Sequence, residues 1–434
     1  MVIELRGLGW LFGRKGIRGA IMRDMDMEFV RAQFAAFDGG STRDYAFFEN
    51  AGGSYPARAV TDRLHRFYTT RKVQPYAAYP ASKAGGDEMD EARTRLAELM
   101  NMTPQELSFG PSTSANTYVL ANAVRMWLRG QSSAIVVTNQ DHEANSGAWR
   151  RLADEGIEVR EWKIDPQTGR LDLADLRALL ADGRVKLVAF PHCSNVIAEI
   201  NDVAEIAALA RKHGARSVVD GVAFAPHGLP DFAALGVDVY LFSSYKTYGP
   251  HQGIMLTRAE FAAELPAQGH YFNAGTLYKR LTPAGPDHAQ IAACAGMADY
   301  IDALHDHHFG PNPDAAARGR KVHDLMRRAE VAMMAPLLDY LAARNDLRLI
   351  GPRNAEDRAP TLAVALDIAA APVAAALADH GIAASGGDFY AVRPIEAMGI
   401  DRAQGVLRLS AVHYTSHEDI DRAIKALDVV LSKG

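Results

Sequence analysis

The chain has 434 residues, 48% hydrophobic and 23% charged, with 47 Lys and Arg against 52 Asp and Glu for a formal net charge of −5. That is ordinary for a globular protein with a large domain plus a smaller one, and it offers no basic stripe for nucleic acid. No apolar run approaches the roughly 18 residues of a membrane-spanning helix, and two cysteines, Cys193 and Cys294, make neither a disulfide framework nor a metal-ligand spacing. The expectation is a cytoplasmic protein with no metal, no nucleic-acid partner and no membrane association.

Residues 1–24 carry Arg6, Arg14, Lys15 and Arg18 among scattered apolar residues and glycines. The apolar stretch is too short and too broken for a secretory signal. It reads as a loose extension, with Met25 or Met27 as the natural beginning. Further on, Ser112-Thr113-Ser114 opens an apolar-periodic helix over 116–128. Hydroxyls and free N–H groups at a helix start suit a phosphate, and they suit plain N-capping equally well.

From there strands and helices alternate. Strands are expected over 133–138, 158–164, 185–190, 217–220, 237–242 and 253–257. Helices are expected over 145–155, closed by Gly156, over 173–180, and over 203–213 between an Asn201 or Asp202 cap and Gly214. Such alternation predicts an α/β fold, a mostly parallel sheet sandwiched by helices. Ligands of such sheets bind at the carboxyl ends of strands, and His142, Asn195, Asp220 and Lys246 each fall there. After about residue 290 the pattern changes to that of a smaller α+β unit. Long helices over 291–305 and 315–341 are followed by strands over 347–350, 362–366 and 406–410. A helix over 372–380 stops at Gly381, and a last one starts near the capping signal Thr415-Ser-His-Glu418. The stretch from His308 to Pro313 marks the boundary.

Lys246 ends the run Val-Asp-Val-Tyr-Leu-Phe-Ser-Ser-Tyr-Lys. A lysine at the end of a buried strand is costly unless neutralised or used. Desolvation lowers its pKa and makes it a nucleophile toward carbonyls. Asp220 ends another strand on a carboxylate. The two together suit pyridoxal phosphate: the amine forms a Schiff base and the carboxylate keeps the ring nitrogen protonated. His142 is placed to stack on that ring, or is a loop residue; Asn195 is placed to meet its phenolic oxygen, or is a turn residue. Arg408, in Val406-Leu-Arg-Leu-Ser410, offers a fork for an α-carboxylate or is a solvated strand arginine.

From about Phe47 onward the chain resembles the class V aminotransferases of the fold-type I pyridoxal-phosphate enzymes, and most of all their cysteine desulfurase-like branch. The matching pieces are Phe48-Glu-Asn-Ala-Gly-Gly53, Gly110-Pro-Ser-Thr-Ser114, Asp141-His-Glu-Ala-Asn145, Cys193-Ser-Asn195, Val219-Asp-Gly221, Ser243-Ser-Tyr-Lys-Thr-Tyr-Gly-Pro250 and Arg408-Leu-Ser410. The resemblance implies a seven-stranded large domain over 55–311, a small domain over 312–434 and a segment over 25–54 packing with it. It implies Lys246 as the Schiff-base lysine, Asp220 at the ring nitrogen, His142 over the ring, and Thr113, Ser114 and Ser243 at the phosphate. Arg408 is implied at the substrate carboxylate, with Asn50 and Tyr245 nearby, in a homodimer whose active site lies at the subunit interface.

The departures fall on the substrate side. The branch's nucleophilic cysteine is replaced by Tyr390 in the loop Gly381-Ile-Ala-Ala-Ser-Gly-Gly-Asp-Phe-Tyr-Ala391, and a phenol cannot accept sulfane sulfur as a thiolate does. Tyr245 stands where His is common, Ala223 replaces a cofactor-contacting Gln, and Gly285 aligns with the Thr that reaches the partner's phosphate. Thr276 and Thr282 are substitutes for that contact. The expected activity is transamination or elimination, for example at a C–S bond, on an amino acid or related amine, with Tyr390 a candidate acid or base. The rival expectations are a desulfurase using another thiol, such as Cys193, and a low-turnover cofactor-binding regulatory protein.

Overall fold

Six strands of one seven-stranded sheet run in the same direction, and every functional residue expected from the strand ends lies at their carboxyl edge. The structure is a computed structural model that describes residues 24–39, 44–283 and 285–432. The extension expected over 1–24 lies, apart from Asp24, outside the described residues. In chain order the strands are β1 (Ala46–Phe47), β2 (Leu107–Gly110), β3 (Ala134–Thr138), β4 (Glu158–Trp162), β5 (Val185–Pro191), β6 (Arg216–Asp220), β7 (Val239–Ser243), β8 (Gly253–Thr257), β9 (Arg348–Ile350), β10 (Thr361–Ala365), β11 (Ile382–Ala383), β12 (Ser385–Gly387) and β13 (Val406–Ser410). The large sheet has the order β2-β8-β7-β6-β5-β3-β4. Only β8 opposes the rest, pairing antiparallel with both β2 and β7.

The strands β3, β7 and β8 are mostly apolar because both faces are covered. Along β3, Ala134 and Val136 join one core with Val188, Val219, Phe242 and Ile254, while Ile135 and Val137 join another with Leu187, Val218, Leu241 and Met255. This is period-two alternation into two helical layers. One layer includes the helices Arg58–Thr70, Pro80–Leu99 and Ala295–Phe309, and the other Thr113–Trp127 and Glu143–Arg150.

Boundaries differ from expectation where a side chain supplies a cap. The helix expected from 145 starts at Glu143, because Nδ1 of His142 accepts from the Ala144 N–H at 3.0 Å. The helix expected over 291–305 is two helices, His288–Ala293 and Ala295–Phe309, meeting at Cys294. The last helix, His417–Leu431, is capped by Ser416 and Asp419 rather than Thr415 and Glu418. The strand expected over 158–164 stops at Trp162, and Ile164 instead bridges Leu171.

The smaller sheet, β12-β13-β10-β9, is antiparallel. The helix Ala315–Ala343 joins the two bodies. Its Val322, Leu325 and Met326 pack in the large core, and Met333, Met334, Leu337, Leu338 and Leu341 in the small one. The apolar contacts therefore divide inside this helix, beyond the loop around 312. The segment after Asp24 also touches both bodies. β1 pairs in parallel with β11, whereas Phe29 stacks on His307 at 3.8 Å and Phe34 meets Tyr300 at 5.1 Å.

Gly253 lets the helix starting at Thr113 sit against β8. A Cβ there would lie 2.6 Å from the Thr113 nitrogen and closer still to the Ser112 carbonyl, and backbone cannot yield as a side-chain tip does. Gly253→Ala is expected to cost ~1–3 kcal/mol by overpacking, read as a lower denaturant midpoint. Gly275→Ala, where a Cβ meets nothing within 4 Å, should leave the midpoint unchanged.

Candidate active site

A cavity of about 720 Å³ opens between the carboxyl edge of the large sheet and the small domain. Its walls include Thr113, Ser114, His142, Asn195, Asp220, Ser243, Tyr245, Lys246, Tyr390 and Arg408. Residues far apart in the chain, from a helix start, the carboxyl ends of four strands and the small domain, are thus brought together. Asn50, expected on the substrate side, is not in the wall. It is buried, donating to the carbonyls of Phe47 (3.1 Å) and Ser410 (2.9 Å) and accepting from the Tyr414 hydroxyl at 2.5 Å. Its role is to fix the backbone, and its neighbour Glu49 faces the cavity instead.

At one end the hydroxyls of Thr113 and Ser243 lie 2.7 Å apart, buried, with Ser114 beside them at the start of a 15-residue helix. Ser112 is the residue that caps, accepting from the Ala115 N–H at 3.1 Å. Capping is therefore done by one hydroxyl, and the other two are left to the cavity. Hydroxyls beside the positive end of a helix make an anion site.

Asp220, the last residue of β6, is buried, and Oδ1 accepts from the Val222 N–H at 2.9 Å. Burial pushes its carboxyl up to about 6, against the pull of that hydrogen bond and of Lys246. Asp141, also buried, is pushed well above the usual carboxylate range by burial and by the Asp220 charge, and its Oδ1 has no partner. Lys246 stands in the short turn after β7. Burial and the Arg408 charge bring its amine down to about 8, although Asp220 and Glu49 pull the other way. His142 is held down to about 4, chiefly by burial and then by Lys246 and Arg408. It is a neutral imidazole at pH 7, and since Nδ1 accepts from Ala144 its proton sits on Nε2. His142 thus both caps a helix and lines the cavity.

At the other end Arg408 is buried, with Nη2 on Glu49 Oε1 at 2.6 Å, Nη1 on the Asn195 carbonyl at 3.3 Å and its guanidinium carbon 3.7 Å from the Phe389 ring centre. Phe389 and Tyr390 both have positive φ, +53° and +56°. Asn195 Nδ2 donates to the Phe389 carbonyl at 3.0 Å, and the Glu143 N–H to the Tyr390 carbonyl at 2.9 Å. Two consecutive non-glycine residues in this region are strained and persist only when over-determined. Tyr390 is 72% exposed, on the cavity rim. Tyr245 stacks on His251 at 4.8 Å. Cys193 reaches the wall too, but burial pushes its thiol up to about 12. Cys294, likewise buried, is also pushed up to about 12.

Sequence reasoning missed Glu49, Asp141 and Phe389. The first two stand inside motifs quoted as blocks, Phe48–Gly53 and Asp141–Asn145, where a lone carboxylate was the signal. Phe389 carries none, because its stacking on Arg408 joins two segments of the small domain.

The profile of the aminotransferase class-V family matches residues 46–288 and 321–423. The aminotransferase-like protein FGM3 of Gibberella zeae is 30% identical over 93% of this chain and 98% of its own. A cysteine desulfurase of Serratia proteamaculans is 28% identical over 88% and 92%. The apo structure of a cysteine desulfurase from Thermococcus onnurineus NA1 superposes with a TM-score of 0.81 over 94% of this chain and 98% of that one, at 22% identity, and so shares the fold. The two-layered α/β sheet, the small antiparallel domain and these matches agree: the chain belongs to the aminotransferase class-V family, whose members are pyridoxal-phosphate-dependent enzymes of amino-acid chemistry.

Proposed function

We propose that this chain is a pyridoxal-phosphate enzyme that transaminates an amino acid or related amine or eliminates a substituent from its side chain, with Lys246 as the amine that engages the cofactor's carbonyl. The observation that carries this reading is the pairing of Asp220 and Lys246 in one cavity wall, each with its pKa moved toward neutrality by burial. The residues fit the cofactor. Asp220 is a buried carboxylate with a single N–H partner, which suits a cationic ring nitrogen. Thr113, Ser114 and Ser243 suit the phosphate, His142 presents a neutral ring to its face, and Asn195, whose Nδ2 donates one hydrogen to the Phe389 carbonyl and keeps a second, suits its phenolic oxygen. When bound, pyridoxal phosphate supplies an electron sink for the charge left at a substrate's Cα.

The chain's own groups supply the rest. With its amine near 8, Lys246 carries an appreciable unprotonated fraction at neutral pH and can take or return a proton at Nζ. Arg408 holds a carboxylate, and Phe389 fixes the plane of its guanidinium. Tyr390 and Tyr245 flank the mouth as substrate contacts or proton donors. A desulfurase reading through Cys193 is disfavoured, since a thiol raised to about 12 forms little thiolate. A mere binding role leaves Lys246, Asp220 and Arg408 in one cavity unexplained.

A homodimer is part of this proposal, supported by Tyr271 and Phe272, which are 91% and 70% exposed on the chain between β8 and the helix Leu277–Arg280. Thr276 starts that helix and Thr282 donates to the Tyr278 carbonyl at 3.3 Å, which leaves both close to Gly285 in sequence. Cytoplasmic residence is proposed on the two free, buried thiols. Among the described residues no helix is long and apolar enough to cross a membrane.

The deciding experiment is a panel of amino acids with the purified holoenzyme. A keto acid without ammonia means transamination, and ammonia with a keto acid means elimination. If no amino acid gives a product or perturbs the cofactor's absorbance, the enzyme reading is wrong. Lys246→Ala should lower turnover by at least about 10³-fold, in line with loss of a general acid–base group. Labelling of Lys246 by an amine-specific reagent in the apoprotein offers an independent check. Only the free base reacts, so labelling should rise with pH and level off above about 8, whereas exposed lysines keep rising toward about 10.4.

A further inference from the structure

The fork of Arg408 is partly taken. One arm is taken by Glu49 at 2.6 Å and the other by the Asn195 carbonyl at 3.3 Å, leaving Nε without a partner. Glu49 is delivered rigidly: the Glu49–Ser410 bridge ties its backbone two residues beyond Arg408, and the next residue, Asn50, is pinned on three sides. Gly52 leaves room for it, since a Cβ there would lie 3.1 Å from Glu49 Oε1. The Glu49 carboxylate lines the cavity and is held by this one bond, its Oε2 making none. A substrate carboxylate seeking a bidentate pair with Arg408 therefore meets an arm already filled by an anion. Both carboxylates crowded on one buried guanidinium would repel at short range in a poorly solvated site.

We propose that Glu49 is a specificity-determining residue: an internal carboxylate that occupies Arg408 in the resting site and must be displaced when a substrate carboxylate binds. This inference rests on Arg408 being the carboxylate subsite. Affinity for a carboxylate is then the difference between two charge-assisted pairs. A substrate without a carboxylate leaves the Glu49–Arg408 pair intact and pays nothing for exchange. Glu49 thus decides whether the subsite welcomes a carboxylate or only tolerates one.

The test is calorimetric titration of the holoenzyme with propionate, butyrate and valerate at fixed salt. Glu49→Gln keeps the shape and removes the charge, and Glu49→Ala removes the occupant. Both should bind the carboxylates at least about tenfold more tightly than the unsubstituted protein, a shift of about 1.4 kcal/mol. Arg408→Ala should abolish that gain when combined with Glu49→Gln. If Glu49→Gln and Glu49→Ala bind carboxylates equally or more weakly, Glu49 merely props Arg408 and the proposal is overturned. Gain in Glu49→Gln that survives Arg408→Ala overturns it as well. If neither the unsubstituted protein nor any variant binds a carboxylate while all retain the cofactor's absorbance, the subsite assignment itself is at fault. That result is distinct from equal binding by all, which condemns Glu49 alone.

Discussion

A carboxylate and an amine are both withheld from water at the ends of neighbouring strands, and the site depends on that arrangement. β6 and β7 pair in parallel, with Asp220 opposite Leu241, so their carboxyl ends reach the same edge. Because helices cover both faces of the sheet, that edge opens into a walled cavity rather than into solvent. Desolvation then works on both groups in opposite senses, raising the acid and lowering the base. Two groups that would otherwise ionise far from pH 7 are drawn toward it chiefly by burial, with the Arg408 charge adding to the fall at Lys246.

The two cationic groups of the cavity are separated by origin. Lys246 belongs to the large domain's sheet edge, and Arg408 to the small domain's β13. Arg408 acts on Lys246 and His142 across the gap, lowering both. The relative placement of the domains therefore adds to the effect of burial on the Lys246 amine. The helix Ala315–Ala343, rooted in both cores, and the segment from β1 to Asn50 hold that placement. Buried Glu330, on the long helix, meets both His227 (3.0 Å) and Arg327 (3.3 Å) where the two cores divide.

The loop carrying Phe389 and Tyr390 is tethered at several points. Asp388 accepts from the Tyr390 N–H at 2.9 Å, and Asn195 and Glu143 donate to the carbonyls of Phe389 and Tyr390 respectively. Tethers of this kind stabilise two residues in left-handed conformations that their side chains disfavour. The outcome is a Phe389 ring laid on Arg408 and a Tyr390 ring on the rim, 5.6 Å from His142. This loop therefore covers the Arg408 end of the cavity and reaches the sheet edge through Asn195, Glu143 and His142.

Much of this was legible along the chain because strand termini are local events. Apolar runs ending on His142, Asn195, Asp220 and Lys246 announce a parallel sheet with its chemistry at one edge, and β8 and β13 appear with their observed bounds. The capping details were less visible: His142 serving as an N-cap, and Ser416 displacing Thr415, depend on backbone torsions that neighbouring residues do not reveal. What only the tertiary structure decided is which side chains meet across hundreds of residues. Glu49 and Arg408 stand 359 positions apart, and Asn195 and Phe389 194 apart. Residue types and spacing determine where a strand ends and which groups it delivers. Contacts between distant segments are selected by the packing of the whole, so the neutralising partner of Arg408, and the burial of Asn50 as a backbone brace, emerge only when the segment after β1 pairs with β13.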